Sequence, residues 1–302
     1  MAADSRTGLL LGLVAVACWS FGASLVFFGA REAGTWPLVA IGSITGGVVQ
    51  LASWRLGRGG WKGAVRLPWR LWAVPMVCFV AYGLAWPCAL TTANATQVLG
   101  VSLINYLWPI LTVVFSAWWV PGVRLTGRTI LGLALAAAGL ACANYNTILE
   151  VIAAGPSPND TPLERWRPYL LALVAAVTWA VYSAVLSRWR AWARDYATSP
   201  LGFLIIGLAG AVALAVRGAP IHLTPRGGLL VLLYALGPQA AGYLCWESAL
   251  SRARVQSLST LAAAIPVLST AWLCLFLHHA PGWELVVAAV LVSGGVVLNL
   301  RE

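Results

Sequence analysis

Long apolar stretches separated by short polar segments dominate the 302-residue chain. A bilayer core about 30 Å thick takes roughly 20 apolar residues per helix. Ten windows of about that length carry no Asp, Glu, Lys or Arg, apart from Glu284 near the start of the last. They run Gly8 to Ala30, Thr35 to Trp54, Leu71 to Thr92, Thr96 to Val120, Thr129 to Tyr145, Pro168 to Ser187, Ala197 to Val216, Gly227 to Trp246, Val255 to Leu277 and Pro281 to Leu300. The third and fourth are divided only by the polar Thr91–Asn94–Thr96 segment, since no charge occurs from Leu71 to Val123. The runs do not alternate with the two-residue period of a membrane β-barrel. The pattern predicts an all-α integral membrane protein with ten transmembrane helices. The first window, 23 residues after Arg6, exceeds the 7 to 15 residues of a signal-peptide core and reads as a retained helix.

Basic residues stay on the cytoplasmic side of short loops. With the N-terminus inside, 14 of the 19 Lys and Arg residues fall on one side, including the group from Arg55 to Arg70 and that from Arg188 to Arg194. The other side holds Arg31, Arg165, Arg167, Arg217 and Arg226. Both termini are therefore expected in the cytoplasm. Composition removes other classes. Only 9% of the residues are charged, against about a quarter in a soluble domain. The net charge of +10 comes from basic residues dispersed between apolar runs, which is a topology signal and no nucleic-acid surface. Cys18, Cys78, Cys88, Cys142, Cys245 and Cys274 all lie inside windows as small apolar side chains, so no disulfide framework follows. His222, His278 and His279 sit near window ends without metal-ligand spacing, and no nucleophile elbow or phosphate loop occurs. The chain is expected to be no enzyme and to carry no metal or cofactor.

The second half repeats the first. Trp19 matches Trp179, Trp86 matches Trp246 and Ala89-Leu90 matches Ala249-Leu250, and then Gln97 matches Gln256, Pro109 matches Pro266, Gly127 matches Gly282, Gly139 matches Gly294 and Asn144 matches Asn299. The offset falls from 160 to 155 along this order. Each half holds five windows, an odd number, so the second enters the membrane from the opposite side. Two inverted five-helix repeats are a transporter signature with the substrate near mid-membrane. The expected division is residues 1–145, an external linker 146–167, and residues 168–302.

Ten helices in two halves, with Tyr82-Gly83-Leu84-Ala85-Trp86 in the third and Leu103-Ile104-Asn105-Tyr106-Leu107-Trp108-Pro109 in the fourth, resemble the drug/metabolite transporter superfamily. Within it the chain is similar to aromatic amino-acid exporters with paired EamA-type domains. The resemblance implies a multi-pass protein of the bacterial inner membrane that exports amino acids by alternating access. It also implies a central cavity built mainly from helices one, three, four, six, eight and nine.

Candidate contacts come from the aromatic and polar side chains. Most of the 17 Trp residues lie near window ends, where indole N–H groups reach water. Trp19, Trp108 and Trp179 lie near mid-window, as packed core or as pocket lining. Helical spacing groups Tyr82 with Trp86, Asn105 with Trp108 and Thr112, Trp179 with Tyr182 and Ser183, and Gln239 with Tyr243 and Glu247. Tyr106 completes the expected set. Aromatic faces attract an ammonium group, while amides and hydroxyls satisfy a carboxylate, which together suit an amino-acid zwitterion. Glu247, five residues before Arg252, reads either as an interfacial anchor or as a substrate or proton site. Pro109, Pro238 and Pro266 lie mid-helix, as static kinks or as gating hinges. Small residues at Gly42/Gly46, Ala134/Ala138 and Ser293-Gly294-Gly295 permit close helix packing. The expected partners are an amino-acid substrate and the lipid bilayer, with the chain acting as a monomer. Export of drug-like cations, or a membrane scaffold without a transport cycle, stays open at this point.

Overall fold

The computed structural model describes residues 2–58, 68–93, 101, 104–143, 145, 149, 153, 162–189, 198–218, 221, 223–276 and 282–300. Trp61 and the loop around it, the Asn94-Ala95-Thr96 turn, most of the expected linker including Asn159, and His222, His278 and His279 lie outside the described residues. Every described element is a helix. They are α1 (Ala2–Ala33), α2 (Thr35–Arg58), α3 (Trp69–Leu71, a π-helical Trp72–Met76 and Val77–Thr92), α4 (Trp108–Trp119), α5 (Gly127–Ala143), α6 (Pro162–Arg188) and α7 (Thr198–Arg217). Then follow α8 (Pro225–Tyr234, a π-helical Ala235–Gly242 and Tyr243–Leu250), the pair α9a (Val255–Ala262) and α9b (Ile265–Phe276), and α10 (Trp283–Leu300). Six of these, α1, α2, α3, α6, α7 and α8, are long and apolar enough to cross a membrane. Shorter apolar helices cover Trp108–Trp119, Gly127–Cys142, Val255–Ser269 and Val286–Gly295.

Where the sequence predicts uninterrupted helices, the structure departs from them beside Pro75, Pro109, Pro238 and Pro266, while Pro87 sits inside α3 without a widened turn. Proline has no N–H to donate, and its ring crowds the carbonyl four residues back. In α3 and α8 the chain relieves that crowding by widening into π turns around Pro75 and Pro238. In the fourth and ninth windows it stops and restarts instead, α4 and α9b beginning beside Pro109 and Pro266.

The chain forms two compact units. The first comprises Met1–Val80 with Trp189–Ala253, and the second Ala81–Arg188 with Arg254–Glu302. In the first, α1 packs along α8, and α2 along α7 and the widened turn of α8. Without apolar solvent contrast in lipid, helices associate through close packing of small residues. Gly207 makes that approach possible, since a Cβ there would lie 2.5 Å from Ile44 Cγ1 and 3.1 Å from the Ala40 carbonyl oxygen. At one end of this unit Glu32 of α1 accepts from Thr224 Oγ1 at 3.2 Å and sits 3.6 Å from the Arg226 guanidinium. At the matching end of α7, the Arg217 guanidinium lies 5.3 Å from the Trp36 ring.

In the second unit α5 packs along α10, and α4 along α6 and α9a. A Cβ at Gly295 would lie 2.5 Å from the Gly132 carbonyl oxygen, so α10 and α5 meet backbone to backbone. Arg188, ending α6, donates to the carbonyl of Trp119, ending α4. Each unit thus draws helices from both sequence halves, and the closest pairs, α2 with α7 and α5 with α10, hold matching places in the two repeats.

Candidate functional site

In the first unit the site is built around the widened turn of α8. Returning from a π to an α turn leaves carbonyls without their usual donors. Tyr243 N–H bonds the Ala240 carbonyl rather than that of Gln239. Side chains from elsewhere donate to the carbonyls of this turn. Trp19 Nε1 donates to the Pro238 carbonyl at 3.1 Å, and Gln50 Nε2 to the Gln239 carbonyl at 2.7 Å. Gln50 is itself held by Ser199 Oγ, which donates to Gln50 Oε1 at 2.7 Å, and the Gln239 amide donates to Ser43 Oγ at 3.2 Å. Gln239, expected as a substrate contact, is therefore engaged with α2. Beside the turn lies an aromatic cluster. Tyr243 meets Phe203 at 4.6 Å, Trp19 at 5.2 Å and Phe79 at 5.4 Å between ring centroids, and Trp19 also meets Trp246 at 5.3 Å. Trp19 reaches this position over Gly242, where a Cβ would lie 2.6 Å from its Nε1. Glu247 is partly exposed one turn beyond Tyr243 on the same helix.

In the second unit the breaks position the candidates. Leu107 N–H bonds the Ile104 carbonyl at 3.1 Å, and Ala264 N–H bonds the Leu261 carbonyl at 3.0 Å, each three residues back. Such tightening is a 3₁₀ turn. Pro109 and Pro266 then bring no N–H to the carbonyls of Asn105 and Ala262. The two breaks are repeat mates, 157 residues apart. Tyr106, Pro109, Ala263 and Pro266 line one small cavity with Ala136 and Leu140 of α5. Asn105 is buried, and among the described residues its Oδ1 has no hydrogen-bond partner. Thr112 turns back to the Trp108 carbonyl at 2.7 Å.

Three helices bring the remaining aromatics together. Trp179 of α6 stacks on Tyr182 at 5.1 Å, meets Tyr82 of α3 at 4.9 Å and meets the edge of Trp108 of α4 at 6.0 Å. Trp86, one turn beyond Tyr82, packs with Tyr169 and Ile104 around Ala89, Val101 and Ala172. The repeat carries a meaningful asymmetry. Tyr82 and Gly242 are repeat mates, as are Trp179 and Trp19, so a tilted ring against an indole in one unit stands where the other has a bare glycine under an indole. Aromatic pairs of this kind contribute about 1 kcal/mol beyond burial. Their faces also attract an ammonium group.

Sequence reasoning missed Gln50, Ser199, Phe79 and Phe203. Gln50 is fully buried and the sole amide side chain in α2, a polar group in an apolar span that merited a partner. Its partners lie 149 and 189 residues away, and no local pattern reports them.

The model of the EamA-like transporter family matches residues 6–145 and 166–301, one copy per sequence half. A protein of Ancylobacter novellus named aromatic amino acid exporter YddG is 30% identical over 294 residues, covering 96% of this chain and 95% of its own. Proteins of the same name from Salmonella typhimurium and Escherichia coli are 26% and 24% identical over 312 and 300 residues, covering 97% and 96% of this chain and 97% and 95% of their own. A solved crystal structure superposes with a TM-score of 0.82 at 27% identity, covering 99% of this chain and 100% of its own.

Proposed function

Because this chain belongs to the EamA-like transporter family, and is thus a multi-pass membrane transporter, of the inner membrane in bacteria, and no enzyme, we propose that it exports amino acids, aromatic and other hydrophobic ones among them, by alternating access. The observation that carries the substrate class is the meeting of Tyr82, Trp108 and Trp179 from three helices of the second unit. A polar atom of the buried Asn105, one helical turn before Trp108, stands without a partner among the described residues. Aromatic faces suit an aromatic side chain and an ammonium group, and Asn105 Oδ1 accepts from a donor such as that ammonium. No Lys or Arg lies inside the ten windows, so a purely anionic cargo has no buried cation to meet. The three relatives named as aromatic amino acid exporters point the same way.

In this reading Tyr82, Trp86, Asn105, Trp108, Trp179 and Tyr182 are substrate contacts in the second unit, with Tyr106 beside the break. Tyr243 and Glu247 are candidate contacts in the first, where Trp19 and Gln239 hold the widened turn. Pro109, Pro238 and Pro266 are the hinges. The chain is one protomer of ten spans, in two inverted repeats (residues 1–145 and 168–302) joined by an external linker, with both termini cytoplasmic. The six long and four shorter apolar helices, falling in the ten windows, support that count. Bacteria expressing the chain test the cargo. They are expected to grow at concentrations of a fluorinated phenylalanine that halt the parent strain, and to show no added tolerance to quaternary-ammonium drugs. The reverse pattern transfers the reading to drug-like cations.

A further inference from the structure

We infer that Gln50 is a positioning residue for the transport cycle: its amide clamps the Gln239 carbonyl, whose α-helical donor is turned to Ala240 in the widened turn of α8, and so sets the direction of the half-helix that carries Tyr243. The inference rests on the transporter reading and not on the identity of the cargo.

The Gln239 carbonyl is not served by its α-helical donor. A carbonyl orphaned within a membrane has no water to turn to, so the turn persists only while another group donates to it. Tyr243 N–H, the α-helical donor for the Gln239 carbonyl, is committed to Ala240. Gln50 Nε2 fills the place at 2.7 Å. The amide is oriented from its other end, where Ser199 Oγ of α7 donates to Oε1 at 2.7 Å. Donor and acceptor of one side chain are thus both used, and the chain from Ser199 through Gln50 to Gln239 ties three helices. Gln50 and Ser199 are fully buried. The seat on α2 is shaped for this turn, because a Cβ at Gly46 would lie 2.8 Å from Gln239 Cβ and 3.2 Å from the Ala235 carbonyl oxygen. Four residues beyond Gln239, Tyr243 lies among Phe79, Phe203 and Trp19. A widened turn rotates and bends the helix beyond it, so the Gln50 clamp governs where Tyr243 is presented.

Leu, Gln and Glu have similar volume at position 50 and separate packing from donation. A buried glutamic acid is neutral at low pH and donates one O–H while accepting from Ser199, but its carboxylate donates nothing. The titratable or charged residues on the elements around position 50 are Asp4, Arg6, Cys18, Arg31 and Glu32 of α1, Arg55 and Arg58 of α2 itself, Arg217 of α7, and Arg226, Tyr234, Tyr243, Cys245 and Glu247 of α8. In nanodiscs, amide hydrogen exchange over residues 235–243 is measured against wild type at the same pH. Purified protein in liposomes gives the turnover number and KM for tryptophan. Gln50→Leu is expected to speed exchange in that segment at least fivefold and to lower turnover at least tenfold, with KM within about twofold. Gln50→Glu is expected to match wild type at pH 5.5 and Gln50→Leu at pH 8.5. Exchange unchanged in Gln50→Leu, or equal defects in both variants at both pH values, overturns the inference. If wild type moves no tryptophan, the exchange measurement decides alone, and the export reading fails separately. If Gln50→Leu does not assemble, the pH-dependent exchange of Gln50→Glu decides.

Discussion

Tryptophan shows how much one residue type reveals. At the helix ends Trp69 is 73% exposed, Trp118 70% and Trp283 62%, whereas mid-window Trp108 and Trp179 are 5% and 2% exposed. Distance from the nearest charge already separates these groups in the sequence, because an indole N–H near water needs no internal partner. The role of Trp19 was less legible. Its bond to the Pro238 carbonyl spans 219 residues, and nothing local marks it as a clamp. The glycine beneath it supplies a sharp test. Gly242→Ala is expected to displace the indole and cost roughly 1–3 kcal/mol, the usual range for overpacking, read as a lowered melting temperature in detergent. Gly237→Ala, with nothing within 4 Å of the added Cβ, is expected to leave it unchanged. For the site itself, Trp108→Phe is expected to reduce tryptophan flux about fivefold, as follows from losing roughly 1 kcal/mol of aromatic contact. Trp118→Phe at matched expression is expected to reduce it less than twofold. Equal losses would make Trp108 mere core.

At the scale of elements, every hydrophobic window holds a described helix, since lipid enforces length and apolarity together, although α4 in the Thr96 to Val120 window begins only at Trp108. The prolines were equally visible, but what each does was not. Pro238 widens α8, where Trp19 and Gln50 lend donors; Pro109 and Pro266 break their helices, where short 3₁₀ turns take up the slack. The difference depends on donors from other helices, which no window contains. Pro109→Ala returns an N–H to the Asn105 carbonyl and permits a continuous helix. Its expected outcome is a melting temperature equal to or above wild type with export at least fivefold slower. Turnover at the wild-type rate would reduce the break to a static kink.

For the whole molecule, the repeat was legible through matched Trp, Pro and Gly residues, and the family matches fall on the same two halves. The compact units were not legible, because each combines helices from both halves, and only packing shows that α2 seeks α7 and α5 seeks α10. Inverted repeats require opposite faces for the linker and for the basic loop after α2. In intact cells, a membrane-impermeant thiol reagent is expected to label Asn159→Cys and spare Gly60→Cys in a background without the native cysteines. The reverse would invert the topology. The central claim is export of aromatic amino acids, and the most direct measurement is flux of labelled L-tryptophan through the purified protein in liposomes, with unlabelled competitors. The expected result is flux well above protein-free vesicles, suppressed by phenylalanine and tyrosine and unaffected by quaternary-ammonium drugs or sugar phosphates. Absence of tryptophan flux, or flux suppressed by the drugs and not by phenylalanine, would contradict it.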